Sequence, residues 1–280
     1  MSTFHIHESM IDHTQSQWLH QLSPQDIPSD CLGIFSDIDD TLTDEGEMVP
    51  EAFQALADLK AQGLKVILVT GRPAGWVDHI ARMWPVDAVV GENGGLWFYM
   101  QNGKLQQSFL SPSDERKINR QKLDNLAHKI IREIPGCALA SDQAYRALDL
   151  AIDFCEDVPA LKPQDVQHIV NLFTQAGAQA KVSSIHVNGW FGTWDKWTGC
   201  VQLMQEAWGI ELQGQSPQWI YFGDSANDEP MFQTFLYSVG VYNVLPFLAQ
   251  MKAHPTWITK ERGGHGFVEA VRYLFFNTKN

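Results

Sequence analysis

Four short apolar runs along this chain each end in polar or acidic residues. Leu32 to Phe35 leads into Ser36-Asp37-Ile38-Asp39-Asp40-Thr41, and Leu64 to Val69 leads into Thr70-Gly71-Arg72-Pro73. Val86 to Val90 is followed by Gly91-Glu92-Asn93-Gly94-Gly95, and Trp219 to Phe222 by Gly223-Asp224-Ser225-Ala226-Asn227-Asp228. Uninterrupted runs of this length predict strands covered on both faces, as parallel strands are. Helical patterns alternate with them. Pro50 suits a first helical turn, Phe53, Leu56 and Leu59 share one face, and Gly63 is placed as a stop. A second helix is expected from Ala74 to Trp84, closed by Pro85. The order βαβαβ implies right-handed crossovers and a parallel sheet.

From Leu96 the pattern changes. Two strands flank Asn102-Gly103, which favours a hairpin. An amphipathic helix is expected over 113–134, short strands near 137–140 and 146–154, and a helix over 162–176. Strands near 179–187 and 190–193 follow. Hairpins and two helices without a long parallel strand describe a separate α+β module, read as a cap over 96–193 inserted into a core made of 31–95 and 194–280. The core resumes with a helix after Trp194-Asp195-Lys196-Trp197, and then Trp219 to Phe222. A short helix over 229–235, a strand over 237–241, a glycine-rich loop at 263–266 and a closing helix over 267–276 finish the sheet. Residues 1–30 read as a tail, or as a short docking helix around Ile11 to Leu22.

Composition narrows the class. The chain has 280 residues, enough for one core carrying an insertion, and no apolar stretch approaches the roughly 20 residues of a membrane helix. Its 20 Lys and Arg against 33 Asp and Glu give a formal charge of −13, which disfavours nucleic acid or an anionic membrane as a partner. The 4 cysteines form no CxxC pair, so neither a zinc site nor a disulfide framework is indicated. A cytoplasmic setting fits, and the start of the chain lacks the pattern of a signal peptide.

The strand ends carry the chemistry. In open α/β sheets the carboxyl ends of strands border the ligand crevice. Asp37 and Asp39, two residues apart, can face the same way into it. Clustered carboxylates raise one another's pKa unless a cation neutralises them, and a hard oxygen-seeking ion such as Mg²⁺ suits them. One carboxylate can attack phosphorus to form an aspartyl phosphate, and the other can protonate the leaving oxygen and later deprotonate water. Mg²⁺ held by these acids and Asp224 would shield the anionic substrate. Thr70 can donate to a phosphate oxygen, and Lys196 supplies a point charge suited to phosphate and to keeping Asp37 ionised.

These residues and their order resemble the haloacid dehalogenase-superfamily phosphatases with a C2-type cap, which include Cof-type, sucrose-phosphate-phosphatase-like and mannosyl-phosphoglycerate-phosphatase-like members. The resemblance implies a Rossmann-like α/β core with the α+β cap inserted between its second and third motifs. It also implies a Mg²⁺-dependent hydrolase acting on a small phosphorylated metabolite, a sugar or sugar-acid phosphate. Asp37 then resembles the nucleophile and Asp39 the acid/base, which also offers its backbone carbonyl to Mg²⁺. Thr70 and Gly71 fall at the phosphate, Lys196 at the third motif, and Asp224 and Asp228 at the acidic metal motif, with Asn227 beside the substrate. Position 40, often Gly in the family, is Asp here, a residue that tolerates unusual backbone angles. Arg72 is read either as binding substrate or cap carboxylates or as pairing with a core acid. His186 and Asn188 either line the cleft between cap and core as specificity residues or are structural. Asn93 is either a turn residue in a left-handed conformation or a substrate contact. Two rivals share the same residues: a phosphotransferase or mutase with the same intermediate, and a non-catalytic binder of Mg²⁺ or a phospholigand.

Overall fold

The computed structural model describes residues 15–21, 30–183 and 185–276. In chain order its strands are β1 (Gln17–Trp18), β2 (Gly33–Ser36), β3 (Thr43–Asp44), β4 (Glu47–Met48), β5 (Lys65–Val69), β6 (Ala88–Gly91), β7 (Leu96–Gln101), β8 (Lys104–Phe109), β9 (Ala138–Leu139), β10 (Leu150–Asp153), β11 (Gln179–Val182), β12 (His186–Trp190), β13 (Trp219–Gly223), β14 (Tyr237–Gly240) and β15 (Trp257–Ile258). The helices are α1 (Pro50–Ala61), α2 (Ala74–Met83), α3 (Ser113–Glu133), α4 (Pro163–Gln175), α5 (Lys196–Trp208), α6 (Leu212–Gln215), α7 (Glu229–Thr234) and α8 (Gly263–Val271).

Nine strands form one sheet in the order β1-β15-β14-β13-β2-β5-β6-β7-β8, parallel from β1 to β6 and antiparallel from β6 to β8. Its central strands bury both faces. Ile34, Leu68, Val89 and Phe222 pack on one side, and Phe35, Ile67, Val90 and Tyr221 on the other. That is why the apolar runs show no alternation. Gly33 is required where β2 meets β5, because a Cβ there would lie 2.2 Å from Lys65 O. Four further strands, β11-β12-β10-β9, make an antiparallel sheet with its own core, to which α3 contributes Leu123 and Ile130 and α4 contributes Ile169 and Phe173.

Several boundaries differ from those expected. The hairpin β7–β8 extends the main sheet beside β6 instead of belonging to the inserted module. Its period-2 pattern signals a hairpin but says nothing of which sheet it joins, so the smaller sheet's module starts only with α3. Its last two expected strands pair as β11 and β12, and Ser183 N donates to His186 O at 2.8 Å, so the first ends at Val182 and the second runs over 186–190 and not 190–193. The glycine-rich stretch at 263–266 opens α8 rather than preceding it as a loop, and His265 lies exposed in its first turn. Gly264 lets this turn approach the chain that follows β2, for a Cβ there would lie 2.5 Å from Leu42 O. Part of the expected tail or docking helix is a strand, since Gln17 and Trp18 pair in parallel with Trp257 and Ile258. Leu19–Gln21 follow as one 3-10 turn with Leu19 buried, and the parts of that expectation over 1–14 and 22–29 lie outside the described residues.

Candidate active site

Asp37 follows β2 directly, and its N–H donates to Phe222 O of β13 at 2.9 Å, so the two central strands fix it between them. Its Oδ1 accepts from Ile38 N at 2.8 Å, and its Oδ2 accepts from Lys196 Nζ at 2.9 Å. Lys196 is the first residue of α5. Asp195 caps that helix by accepting from Thr198 N at 2.8 Å, and this places the lysine stem at the buried end of the helix. Close packing of α5 depends on the turn after β6. Gly94 has φ +103°, and a Cβ there would lie 1.9 Å from Asp195 O.

Lys196 Nζ also donates to Asp228 Oδ1 at 2.6 Å, and Tyr221 OH donates to the same oxygen at 2.5 Å. Asp228 Oδ2 accepts from Asp224 N at 2.9 Å and Ser225 N at 3.3 Å. Both oxygens of Asp228 are therefore engaged in shaping the loop after β13. Asp37, Asp224 and Asp228 nonetheless each offer an oxygen within 4.8 Å of the others, all buried. Burial pushes the Asp37 carboxyl up to about 7; Lys196 opposes this, and Asp228 and Asp39 add to it. Burial, then Asp228 and Asp37, raise Asp224 well above the ordinary carboxylate range. Lys196 loses by burial but is raised on balance by Asp228 and Asp37. Three buried carboxylates around one lysine leave uncompensated negative charge. That oxygen-rich set fits a hard divalent cation, with Asp37 and Asp224 having the freer oxygens.

Asp39 is half-buried and bound by a core arginine. Arg72 Nε donates to Asp39 Oδ1 at 2.9 Å and Oδ2 at 3.1 Å, and Arg72 Nη2 lies 2.8 Å from Oδ1. The same guanidinium reaches across to the smaller module, 3.4 Å from Glu156 Oε1 and 3.7 Å from Asp142 Oδ2, and covers the Trp76 ring at 4.5 Å. Both readings of Arg72 as a partner of carboxylates thus hold at once. Thr70 is fully buried behind this pair; its Oγ1 accepts from Arg72 N at 3.0 Å and approaches Asp39 Oδ2 at 3.5 Å.

Between core and module lies a cleft lined by Asp37, Asp39, Gly71, Arg72, His186, Asn188, Asp224 and Asn227, together with Arg146 and Ser183. Its volume is about 30 Å³, room for a few waters but not for a sugar phosphate, so the two parts are closed on each other. His186 sits in it with Nε2 2.8 Å from Glu156 Oε2, an ion-pair distance at an angle short of a hydrogen bond. Asn188 Nδ2 donates to Asp149 Oδ2 at 2.9 Å. Asn227 Oδ1 accepts from Ser225 Oγ at 2.9 Å. Asn93 does not line the cleft: its φ is +55°, its N–H donates to Thr70 O at 3.1 Å, and its Nδ2 is buried without a partner. The turn reading accounts for its backbone. Asp40 has φ +56°, the left-handed conformation that Asp tolerates in place of Gly.

Besides Glu156, four charged residues escaped sequence reasoning. Glu92 is fully buried and accepts from Ala74 N, Ala147 N, Leu148 N and Asp149 N at 2.6 to 3.1 Å, tying the core to the segment before β10. Arg146, also buried, donates to Asp142, Asp149 and Gly71 O, the last at 2.9 Å. Asp142 and Asp149 complete that network. Glu92 stood in a visible polar strand end, but no motif marks a carboxylate that only holds backbone; Arg146 and its acids lie in irregular chain with no periodic signal.

Residues 34–133 match the family of haloacid dehalogenase-like hydrolases. Phosphoglycolate phosphatase of Methanoculleus marisnigri is 28% identical over 253 residues, which cover 86% of this chain and 97% of the relative. A solved Thermoplasma acidophilum structure aligns with TM-score 0.67 at 18% identity, covering 87% of this chain and 98% of that one. The sucrose-phosphatase of Synechocystis, solved with sucrose and phosphate, aligns with TM-score 0.61 at 17% identity, covering 89% and 99%. The inserted α+β module is the cap of this architecture.

Proposed function

We propose, from the premise that this chain is a haloacid dehalogenase-like phosphatase, that it hydrolyses small phosphomonoesters of sugars or sugar acids through an aspartyl phosphate on Asp37. The observation that carries this reading is a buried carboxylate at the end of β2, held by Lys196 among two further buried acids. Asp37 Oδ attacks phosphorus and the bond to the leaving oxygen breaks, while Asp39 gives that oxygen its proton. Asp39 then takes a proton from water, whose oxygen attacks phosphorus and releases Asp37 and inorganic phosphate. Lys196 neutralises Asp37 and faces the phosphoryl charge, and Asp228 holds Lys196 and the Asp224 amide in position. Gly71 borders the phosphoryl site, and Thr70, buried behind the Asp39–Arg72 pair, would reach a phosphoryl oxygen only once that pair opens. Mg²⁺, held by Asp37, Asp224 and the Asp39 carbonyl, would screen charge on the phosphoryl oxygens. Since the cleft is closed, the cap must swing away to admit substrate and shut again to exclude water. Arg72 must then release Asp39 for proton transfer.

The test is phosphate release by wild-type and Asp37→Asn protein, with Mg²⁺ or EDTA, over sugar, sugar-acid, nucleotide and cofactor phosphates. Release that requires both Mg²⁺ and Asp37 is expected. Retention of activity within about tenfold in Asp37→Asn would remove the nucleophile from the scheme.

A further inference from the structure

The cations of the cleft are all engaged. Arg72 faces Asp39, Asp142 and Glu156; Arg146 faces Asp142 and Asp149; and Lys196 faces Asp37 and Asp228. With Asp224 this makes seven carboxylates around three Lys and Arg side chains. A divalent cation and a phosphoryl dianion cancel each other in charge, so the balance where the leaving group sits stays negative. A leaving group carrying its own carboxylate would find no unmatched Lys or Arg among the described residues of the cleft. A leaving group carrying hydroxyls would find carboxylate acceptors.

Glu156 is the acid placed to make that choice. It follows β10, and Asp153 fixes its loop by accepting from Cys155 N at 2.9 Å, Glu156 N at 2.8 Å and Asp157 N at 2.8 Å. From that anchored backbone its Oε2 reaches His186 Nε2 at 2.8 Å and its Oε1 lies 3.4 Å from Arg72 Nη1, two basic side chains that line the cleft from opposite sides. The side chain remains about a third exposed. It is therefore already near water, and is poised to turn to a ligand when the cap opens. Contact with His186 holds its carboxyl below the ordinary range, against some burial, and Arg72 adds to this. It is an anion wherever the enzyme works near neutrality.

We propose that Glu156 is a specificity-determining residue. It accepts hydroxyl donors from a neutral, polyhydroxylated leaving group, and by occupying Arg72 and His186 it rejects phosphoesters whose leaving group carries a carboxylate. This rests on the hydrolase reading above and narrows its substrate class to phosphates of neutral sugars or polyols. It also separates this chain from the activity named for the Methanoculleus relative.

The experiment compares hexose 6-phosphates and glycerol 1-phosphate with 2-phosphoglycolate and 3-phosphoglycerate, by kcat/KM for wild type, Glu156→Gln and Glu156→Asp. Wild type should favour the neutral esters. Glu156→Gln, which keeps the shape and removes the charge, should lower their kcat/KM by about tenfold or more and raise that of the carboxylated esters, while Glu156→Asp keeps the wild-type order. Calorimetric binding of the same four esters to Asp37→Asn protein with Mg²⁺ reads the preference without turnover. Absence of phosphate release by wild type would therefore strike the hydrolase reading and leave this proposal to the binding data. Wild-type preference for a carboxylated ester, or a ratio unmoved in Glu156→Gln, would overturn it.

Discussion

Replacing Lys196 by Met tests the electrostatic reading of the site most directly. Met has a similar stem and no charge, so packing at the start of α5 is largely kept while Asp37 and Asp228 lose the cation that sits 2.9 Å and 2.6 Å from them. Removing one partner from a buried ion pair costs about 3–5 kcal/mol, because the remaining charge is desolvated and unmatched. For chains near this size about 1 kcal/mol corresponds to roughly 2–4 °C, so Tm should fall by roughly 6–20 °C at about pH 8 in EDTA. The deficit should shrink on acidification. Asp37 is already pushed up to about 7 with Lys196 present, so without it the carboxyl takes up a proton and stops being a buried charge as pH falls. Calorimetry in EDTA from about pH 5.5 to 8 gives this profile, and phosphate release in Mg²⁺ gives a companion figure. Activity should drop about a thousandfold, near 4 kcal/mol of transition-state stabilisation. A variant that melts within about 2 °C of wild type at about pH 8, or that keeps activity within tenfold, would refute the claim that Lys196 neutralises Asp37.

Two further outcomes follow from the same geometry. Gly94→Ala places a Cβ 1.9 Å from Asp195 O at a backbone φ of +103°, so α5 must retreat and carry Lys196 with it. Activity should be lost along with about 3 kcal/mol or more of stability, and a fully active, equally stable variant would contradict the close approach. Mg²⁺ should raise Tm more at about pH 8 than at about pH 5.5. Because Asp37 is raised to about 7 and Asp224 well above the ordinary range, the metal-free fold loses stability as pH rises through that window, and the cation restores it there. An equal gain at both pH values would mean that the ion does not bind these carboxylates.

The sequence made the core legible because parallel strands buried on both faces write themselves as short apolar runs, and their carboxyl ends as polar clusters. Asp37, Asp39, Arg72 and Asp224 all fall at such ends and all reach the cleft. Lys196 was visible from its place after the inserted module, and Asp195 shows why a helix starts there. The hairpin over 96–109 joins the main sheet rather than the inserted module expected over 96–193, because local periodicity carries no information about edge pairing. Glu92, Arg146 and Glu156 were invisible for a related reason: each acts on residues distant in the chain or on backbone groups. Asp228 was legible as part of the metal motif, yet its two oxygens spend themselves on Lys196, Tyr221 and two amides.

The position of β2 in the sheet has a consequence for how the protein is made. β2 lies between β5, which follows soon after it, and β13, which begins at Trp219 after the whole cap. A growing chain therefore holds one edge of this buried central strand open until the inserted module has been synthesised, and such an edge invites pairing with other chains. Lys196 meets Asp37 only across 159 residues of sequence. Until then the carboxylates at the end of β2 stay hydrated and repel one another and the acids of neighbouring chains. The acids that the folded protein buries at an energetic penalty are thus, in the unfinished chain, a patch of hydrated like charge beside the open strand edge.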